Sequence, residues 1–244
     1  MNIVIPMAGA GSRFASAGYT LPKPLIPAFG KPMYAWAVES LPYAQAQRLI
    51  FICLKEHLER FPLEADIRSR YPDVKVEVLA LNHLTSGQAE TVLAAIQWID
   101  NDSPLLIFNA DTYVPDPFVM PEGPLDGVIQ TFQASDPRYS FARLGEDGWV
   151  CEVAEKVPIS QHASTGLYYF ARGRDFVHYT QKFMAAGRTI QGEAYVMLTY
   201  DEMLKEHKRL RIQEVSSHWV LGTPEELERF LRDYRPSKET LASS

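Results

Sequence analysis

The sequence predicts an α/β protein with a mostly parallel, mixed sheet flanked by helices and a β-rich second half. Three observations carry this. Short apolar runs alternate with helix-period segments along the first half, the rhythm of strand–helix–strand units whose right-handed crossovers build a parallel sheet. The run PLLIFN (104–109) is continuous and apolar, as in a strand covered on both faces. After Asp111 the runs shorten and become β-rich, with Gly145-Glu146-Asp147-Gly148 reading as a hairpin turn.

Taken in order, residues 2–5 form a buried strand followed by a glycine-bearing loop, and 33–41 read as a helix. Residues 48–54 (RLIFICL) are a second strand, and 55–71 a helical stretch broken at Pro62, where the backbone loses a donor. Residues 74–81 are a third strand, 88–99 a helix with Val92, Ile96 and Ile99 on one face, and 104–109 a fourth strand. Strands follow at 127–133, 141–144, 149–153 and 167–170, then helices at 175–186 and 194–206 and a strand at 210–215. A last helix starts at Pro224, marked by Thr223 as N-cap and Glu226 three residues on.

No linker or internal repeat divides the 244 residues, so 1–234 read as one unit and 235–244 as a loose tail. Its halves are 1–112, nucleotide-type, and 113–234, more antiparallel. The 46% hydrophobic and 22% charged residues suffice for a sizeable core, which excludes general disorder and a disulfide scaffold. A net charge of −6 argues against coating nucleic acid or an anionic membrane. No apolar run reaches a membrane span and no basic leader opens the chain. Cys53 and Cys151 lie in apolar stretches and read as reduced, buried thiols of a cytoplasmic protein. Histidines at metal-helix spacing and a Cys-x-x-Cys are absent, which disfavours a zinc site.

The first loop runs Ala8-Gly9-Ala10-Gly11-Ser12-Arg13-Phe14. Glycines after an N-terminal strand let backbone approach a phosphate closely, although a tight turn alone uses them equally well. Phe14 replaces the third glycine of a dinucleotide fingerprint, and no Walker lysine follows. Ten residues beyond Arg13, Lys23 sits between Pro22 and Pro24, on a stiff segment. A guanidinium and an ammonium together clamp polyphosphates, whereas solvated surface charges are the commoner fate of such residues.

AGAGSRF, then PKPL, then Gly30-Lys31-Pro32-Met33 resembles the signature of sugar-1-phosphate nucleotidylyltransferases. Ser86-Gly87-Gln88, Asn109-Ala110-Asp111, Glu155-Lys156, Thr165-Gly166 and Gly222-Thr223-Pro224 extend the resemblance from Met1 to about Phe230. It implies a Rossmann-like fold related to the GT-A glycosyltransferases, whose second half binds the sugar phosphate. It also implies a reaction: a nucleoside triphosphate and a sugar 1-phosphate give a nucleotide-sugar and pyrophosphate. The attacking phosphate is already anionic, so the task is placing two anions in line and spreading charge.

By the resemblance, the loop Ala8, Gly9, Ala10, Gly11, Ser12 and Arg13 with Lys23 holds the nucleotide, and Arg13, Lys23 and Asp111 carry catalysis. Asp111 binds Mg2+, at the carboxyl end of its strand, where capping the strand exit is the alternative role. Gln88 faces the base, or is occupied in a Thr85-x-x-Gln88 capping box. Glu155 and Lys156 reach the sugar phosphate, or form a solvated pair at a strand end. Thr165, Gly166 and Glu193 complete the sugar side.

One departure stands out: the second metal carboxylate expected before the C-terminal Gly-Thr is replaced by apolar residues in Val220-Leu221-Gly222-Thr223. Another acid such as Glu193 fills the shell, or metal binds through Asp111, phosphates and water, or turnover is weak. The wording EKVPIS then HASTGLYYF resembles a branch associated with surface-polysaccharide genes. Competing readings are a cytidylyltransferase acting on phosphocholine or another phosphorylated metabolite, and a nucleotide-binding regulatory protein. The base, the acceptor and any homo-oligomer are left open.

Overall fold

Ile3, Val4 and Ile5 are β-branched and fully buried, and they open the chain as strand β1 (Asn2–Met7). The computed structural model describes residues 1–116 and 118–236, so the expected tail lies outside the described residues except for Arg235 and Pro236. After β1 come helix α1 (Ser12–Ser16), a 3₁₀ turn over Lys23–Leu25 and a small hairpin of β2 (Pro27–Ala28) and β3 (Lys31–Pro32). Helix α2 (Met33–Glu39) and strand β4 (Arg48–Leu54) follow. Pro62 splits the next helical stretch into α3 (Lys55–Arg60) and α4 (Leu63–Arg70) before β5 (Val76–Leu81).

The helix expected over 88–99 is two pieces, α5 (Gln88–Leu93) and α6 (Ile96–Ile99). Between them the backbone tightens, with Ala95 N–H bonded to the Val92 carbonyl. Strand β6 (Leu105–Phe108) and the two-residue β7 (Thr112–Tyr113) flank Asp111. The second half contains β8 (Gly127–Gln133), β9 (Ser140–Leu144), β10 (Val150–Glu155), β11 (His162–Phe170) and α7 (Gly173–Ala185). It ends with α8 (Met197–Lys205), β12 (Leu210–Glu214), β13 (Trp219–Val220) and α9 (Pro224–Asp233). The expected cap of α9 is present: Glu226 N–H donates to Thr223 Oγ1 at 3.2 Å.

One mixed sheet runs β10-β9-β11-β6-β1-β4-β5, with β8 joining β11 to β12. Strands β6, β1, β4 and β5 are parallel neighbours, and β11 returns antiparallel to β6. Successive side chains of β1 enter opposite cores, Val4 on one face and Ile3 with Ile5 on the other. A third cluster packs Phe14, Ile26, Met33 and Trp36 against Leu221, Leu227 and Phe230. It pins the glycine-loop segment to the C-terminal helix, and burying Phe230 alone contributes about 2–3 kcal/mol.

Two further expectations change. Cys53 is buried, but Cys151 is exposed, because it sits at a register shift between Val150 and Glu152 on an outer strand. Strand β11 begins at His162 rather than 167, since 162–164 pair with β8 before the register shifts between Ser164 and Tyr168. Among the described residues no helix is long and apolar enough to cross a membrane.

Gly166 lies in that shifted segment with φ +89°, and a Cβ there would stand 2.1 Å from Asn109 Nδ2. Gly166→Ala is expected to cost about 1–3 kcal/mol for the backbone conformation, plus the clash with the Asn109 amide. Urea unfolding checks this: adding Asn109→Ala should recover the clash but not the backbone cost. Equal stability of Gly166→Ala and wild type would show that the bulge accepts a side chain.

Candidate functional site

The carboxyl ends of parallel strands open onto a crevice, and the ends of β1 and β6 lead into a cavity of about 700 Å³. Residues Ala8–Gly11, Lys23 and Asp111 line one end. Ser140, Glu155, Gly166, Tyr168, Glu193 and Tyr195 line the other, with Gln88 and Asn109 also on the wall.

Gly11 takes a left-handed conformation, φ +61°, and turns the loop into α1. Phe14 points into the third core cluster, which sends Ser12 and Arg13 outward. Both are exposed and line a separate shallow depression beside Thr223 and Pro224, so the structure does not bring them to the cavity with Lys23. The guanidinium on the cavity wall is that of Arg138, which the sequence reading missed. Arg138 donates to Glu226 Oε1 and to the Tyr139 hydroxyl, both at 2.7 Å. Its only sequence signal is an Asp-Pro turn just before β9.

The proline-flanked 3₁₀ turn carries the Lys23 ammonium to the Asp111 carboxylate, where it donates to Oδ2. Each side chain of this pair is about a quarter exposed, at 25% and 22%.

The Thr85–Gln88 capping box does not form. Gly87 is the N-cap without a side-chain bond, and Thr85 Oγ1 turns to the Gly87 carbonyl and the Thr91 hydroxyl. Glu90 instead accepts from Ser86 N–H at 2.5 Å and Ser86 Oγ at 2.6 Å, which holds its carboxyl below the ordinary range. Gln88 is thereby released to the cavity wall, donating from Nε2 to Asn109 Oδ1 at 2.6 Å. The loop before α8 closes this wall: Ala194 N–H bonds the Ser86 carbonyl and Ala89 N–H the Ala194 carbonyl, both at 2.9 Å. These bonds hold residues 194–196 outside the helix, so α8 starts at Met197 and not at 194.

At the far end Glu155 is buried and accepts from the Ser140 hydroxyl. Burial pushes its carboxyl up to about 7, against the opposing effects of Ser140 and Lys156. Lys156 parts from its neighbour: with φ +59° it leaves the strand, donates to Gln191 Oε1 at 2.9 Å and lies over the Tyr195 ring. Thr165 is buried and bonds Gln130 Oε1 at 2.9 Å, so its hydroxyl belongs to the sheet while Gly166 meets the cavity. Glu193 is on the wall, and burial followed by a bond to Glu193 pushes the Tyr195 phenol up.

Among the described residues no group of three or more His, Cys, Asp or Glu side chains could hold a metal ion. Magnesium on phosphates takes one or two protein carboxylates, so two suffice. Strand β13 pairs with β7, and Leu221 N–H bonds the Asp111 carbonyl at 2.7 Å, placing Gly222 beside Asp111. A Cβ on Gly222 would meet Asp111 Oδ2 at 3.1 Å and Glu226 Oε2 at 3.2 Å. The bare glycine thus leaves a cradle faced by hard oxygen donors, which fits a divalent cation.

The nucleotidyl transferase family model matches residues 3–183. A nucleoside-diphosphate-sugar pyrophosphorylase from Vibrio cholerae RC9 is 31% identical, over 95% of this chain and 100% of its own, with a TM-score of 0.83. A Bacillus anthracis protein described as a glucose-1-phosphate thymidylyltransferase, in complex with a sucrose, is 20% identical over 98% of each chain, with a TM-score of 0.76. The inositol-1-phosphate CTP transferase from T. maritima is 11% identical over 99% of this chain and 94% of its own, with a TM-score of 0.74. The last two share the fold. The chain belongs to the nucleotidyl transferase family and is a nucleotidyltransferase.

Proposed function

We propose that the protein condenses a nucleoside triphosphate with a sugar 1-phosphate to give a nucleotide-sugar and pyrophosphate. The observation that carries this reading is the single cavity itself. Backbone, Lys23 and Asp111 stand at one end, and Glu155, Glu193 and tyrosines at the other. The first end, from residues 1–112, suits a triphosphate, and the second, from 113–234, a polyhydroxylated acceptor. The likeness to the Vibrio cholerae pyrophosphorylase, at 31% identity, supports the same class of acceptor.

An acceptor phosphate oxygen attacks the α-phosphorus, a new P–O bond forms, and the α–β bridging bond breaks with its electron pair leaving on pyrophosphate. No base is required, because the nucleophile carries no proton at neutral pH. Lys23 exchanges its bond to Asp111 for phosphate oxygens, and Arg138 offers a second cation to the same end. Asp111, thus released, would hold a divalent cation, which supplies charge neutralisation on the phosphates when bound. Gln88 presents an amide to the base, and Glu155 and Glu193 accept hydrogen bonds from the sugar hydroxyls. A cytoplasmic setting, where nucleoside triphosphates are supplied, and use of the product in polysaccharide assembly belong to the same proposal.

A second reading has a specific observation in its favour. Tyr168 and Tyr195 share the acceptor end with two carboxylates, a setting that also suits a cationic head such as that of phosphocholine. Trp98, Trp149 and Trp219 are not part of that wall.

A pyrophosphate-release screen of several nucleoside triphosphates against sugar 1-phosphates and phosphocholine tests both. Release with a sugar 1-phosphate is the expected result, and release with phosphocholine alone selects the second reading. Lys23→Ala should lower turnover by roughly 10²–10³-fold, the scale of one lost charge-stabilising donor, with little change in unfolding midpoint. Unaltered kinetics would remove Lys23 from the site. Glu155 accepts sugar hydroxyls best when ionised, so acceptor KM should fall as pH rises through about 7. Glu155→Gln should flatten that profile; an unchanged profile would assign the titration elsewhere.

A further inference from the structure

The family signature is missing an acid at its usual place before Gly222, yet the structure brings one to the same spot from further along the chain. We infer that Glu226, on the first turn of α9, is the second carboxylate that a divalent cation meets, across Gly222 from Asp111. The inference rests on the proposed nucleotide–metal reading and adds to it the residue that completes the cation's protein ligands.

Two independent contacts bring the acid in. The pairing of β13 with β7 fixes Gly222 against Asp111, and the Thr223 cap fixes the first turn of α9 directly after it. The result is two carboxylate oxygens, Asp111 Oδ2 and Glu226 Oε2, both within 3.2 Å of the point a Gly222 Cβ would occupy. Any side chain at 222 would fill that point, so the glycine keeps it open; its φ is not in the left-handed region.

The charges around the pair fit the same role. Two carboxylates turned to one point repel unless cations stand beside them. Lys23 is bonded to Asp111 Oδ2, the oxygen that faces the cradle, so an ammonium balances one of the two acids. Arg138 takes Glu226 Oε1 at 2.7 Å and leaves Oε2 turned to Gly222. Arg138 also lines the cavity, so it holds the acid in place from the phosphate side. The Glu226 side chain is only 11% exposed, which restricts its rotamers and keeps the oxygen aimed. Glu225, the preceding residue, belongs to the separate shallow depression and has no part in the cradle.

Mn2+ binding to the full-length protein without nucleotide, followed by the electron paramagnetic resonance of free Mn2+, tests the assignment independently of turnover. Wild type should bind saturably, and Asp111→Asn and Glu226→Gln should each weaken binding by about tenfold or more, the scale seen for disturbed metal shells. Glu225→Gln should bind as wild type. Gly222→Ala, which fills the cradle, should weaken binding in the same way and gives an answer if Glu226→Gln does not fold, as judged by thermal unfolding. A purely structural Glu226, serving only to hold Arg138, would leave Mn2+ affinity unmoved. Weakening by Asp111→Asn with wild-type affinity in Glu226→Gln and Gly222→Ala overturns the inference while the proposed function stands. Absence of saturable Mn2+ binding in wild type overturns it as well. Absence of pyrophosphate release from every pair in the screen is the separate failure of the functional reading.

Discussion

The bond between Lys23 and Asp111 is the interaction around which the site is arranged. It spans the gap between the 3₁₀ turn that follows the glycine loop and the end of β6, two segments 88 residues apart in sequence. At a quarter exposed on each side, the pair has an attraction of about 4 kcal/mol at an effective dielectric near 20, much of it offset by desolvation. Its net contribution to stability is therefore small. Its weight lies in exchange: an arriving phosphate can take the ammonium and a cation the carboxylate, so neither charge is stranded when the pair opens. The aromatic cluster behind it makes this exchange local. Trp36 Nε1 bonds the Ala28 carbonyl at 2.9 Å, and Phe230 packs edge-on to Trp36, so the loop bearing Lys23 is anchored whichever partner the ammonium holds.

Bare backbone is the second constraint, and it recurs at two places on the cavity wall and at a third beside Asp111. A Cβ on Gly87 would lie 2.6 Å from the Ala194 backbone, one on Gly166 would strike Asn109, and one on Gly222 would crowd two carboxylates. At Gly87 and Gly166 a distant segment comes closer than a side chain permits, whereas at Gly222 the two carboxylates would have to shift slightly. The contacts are linked, since Asn109, packed against Gly166, also accepts from Gln88, the residue after Gly87. A substitution at one wall therefore displaces groups on another.

Much of this was legible in the sequence, and the parts that were not share a cause. The strands β1, β4 and β6 read correctly because a sheet covered on both faces demands unbroken apolar runs. Asp111 stood out because it follows such a run directly. Glu226 did not, because its position depends on β7 and β13, two residues each, which no periodicity can announce. Arg138 did not, because it sits in a turn before β9 and meets the site through its bond to Glu226. Arg13 was read with Lys23 from its place in the loop, but one turn of helix with Phe14 buried carries it to another face. Gln88 and Thr85 had the spacing of a cap; Glu90 won the competition because a carboxylate accepts both Ser86 donors at once. Cys151 looked buried by its apolar neighbours, and the register shift beside it turned it outward.

Charge explains what a divalent cation adds once the nucleotide enters the cavity. The chain carries a net −6, so its overall field opposes an anionic nucleotide. At the phosphate end, Lys23 and Arg138 face Asp111 and Glu226, and the local sum is close to zero. Two cations already matched by two acids cannot by themselves offset a triphosphate with several negative charges. A cation entering with the triphosphate changes the sum: it occupies the acids, frees the ammonium and the guanidinium for phosphate oxygens, and cancels charge on the nucleotide itself. The same four side chains are thus self-compensated when the cavity is empty and complementary when it is filled. An acidic protein can in this way hold an anionic substrate without a standing cationic patch.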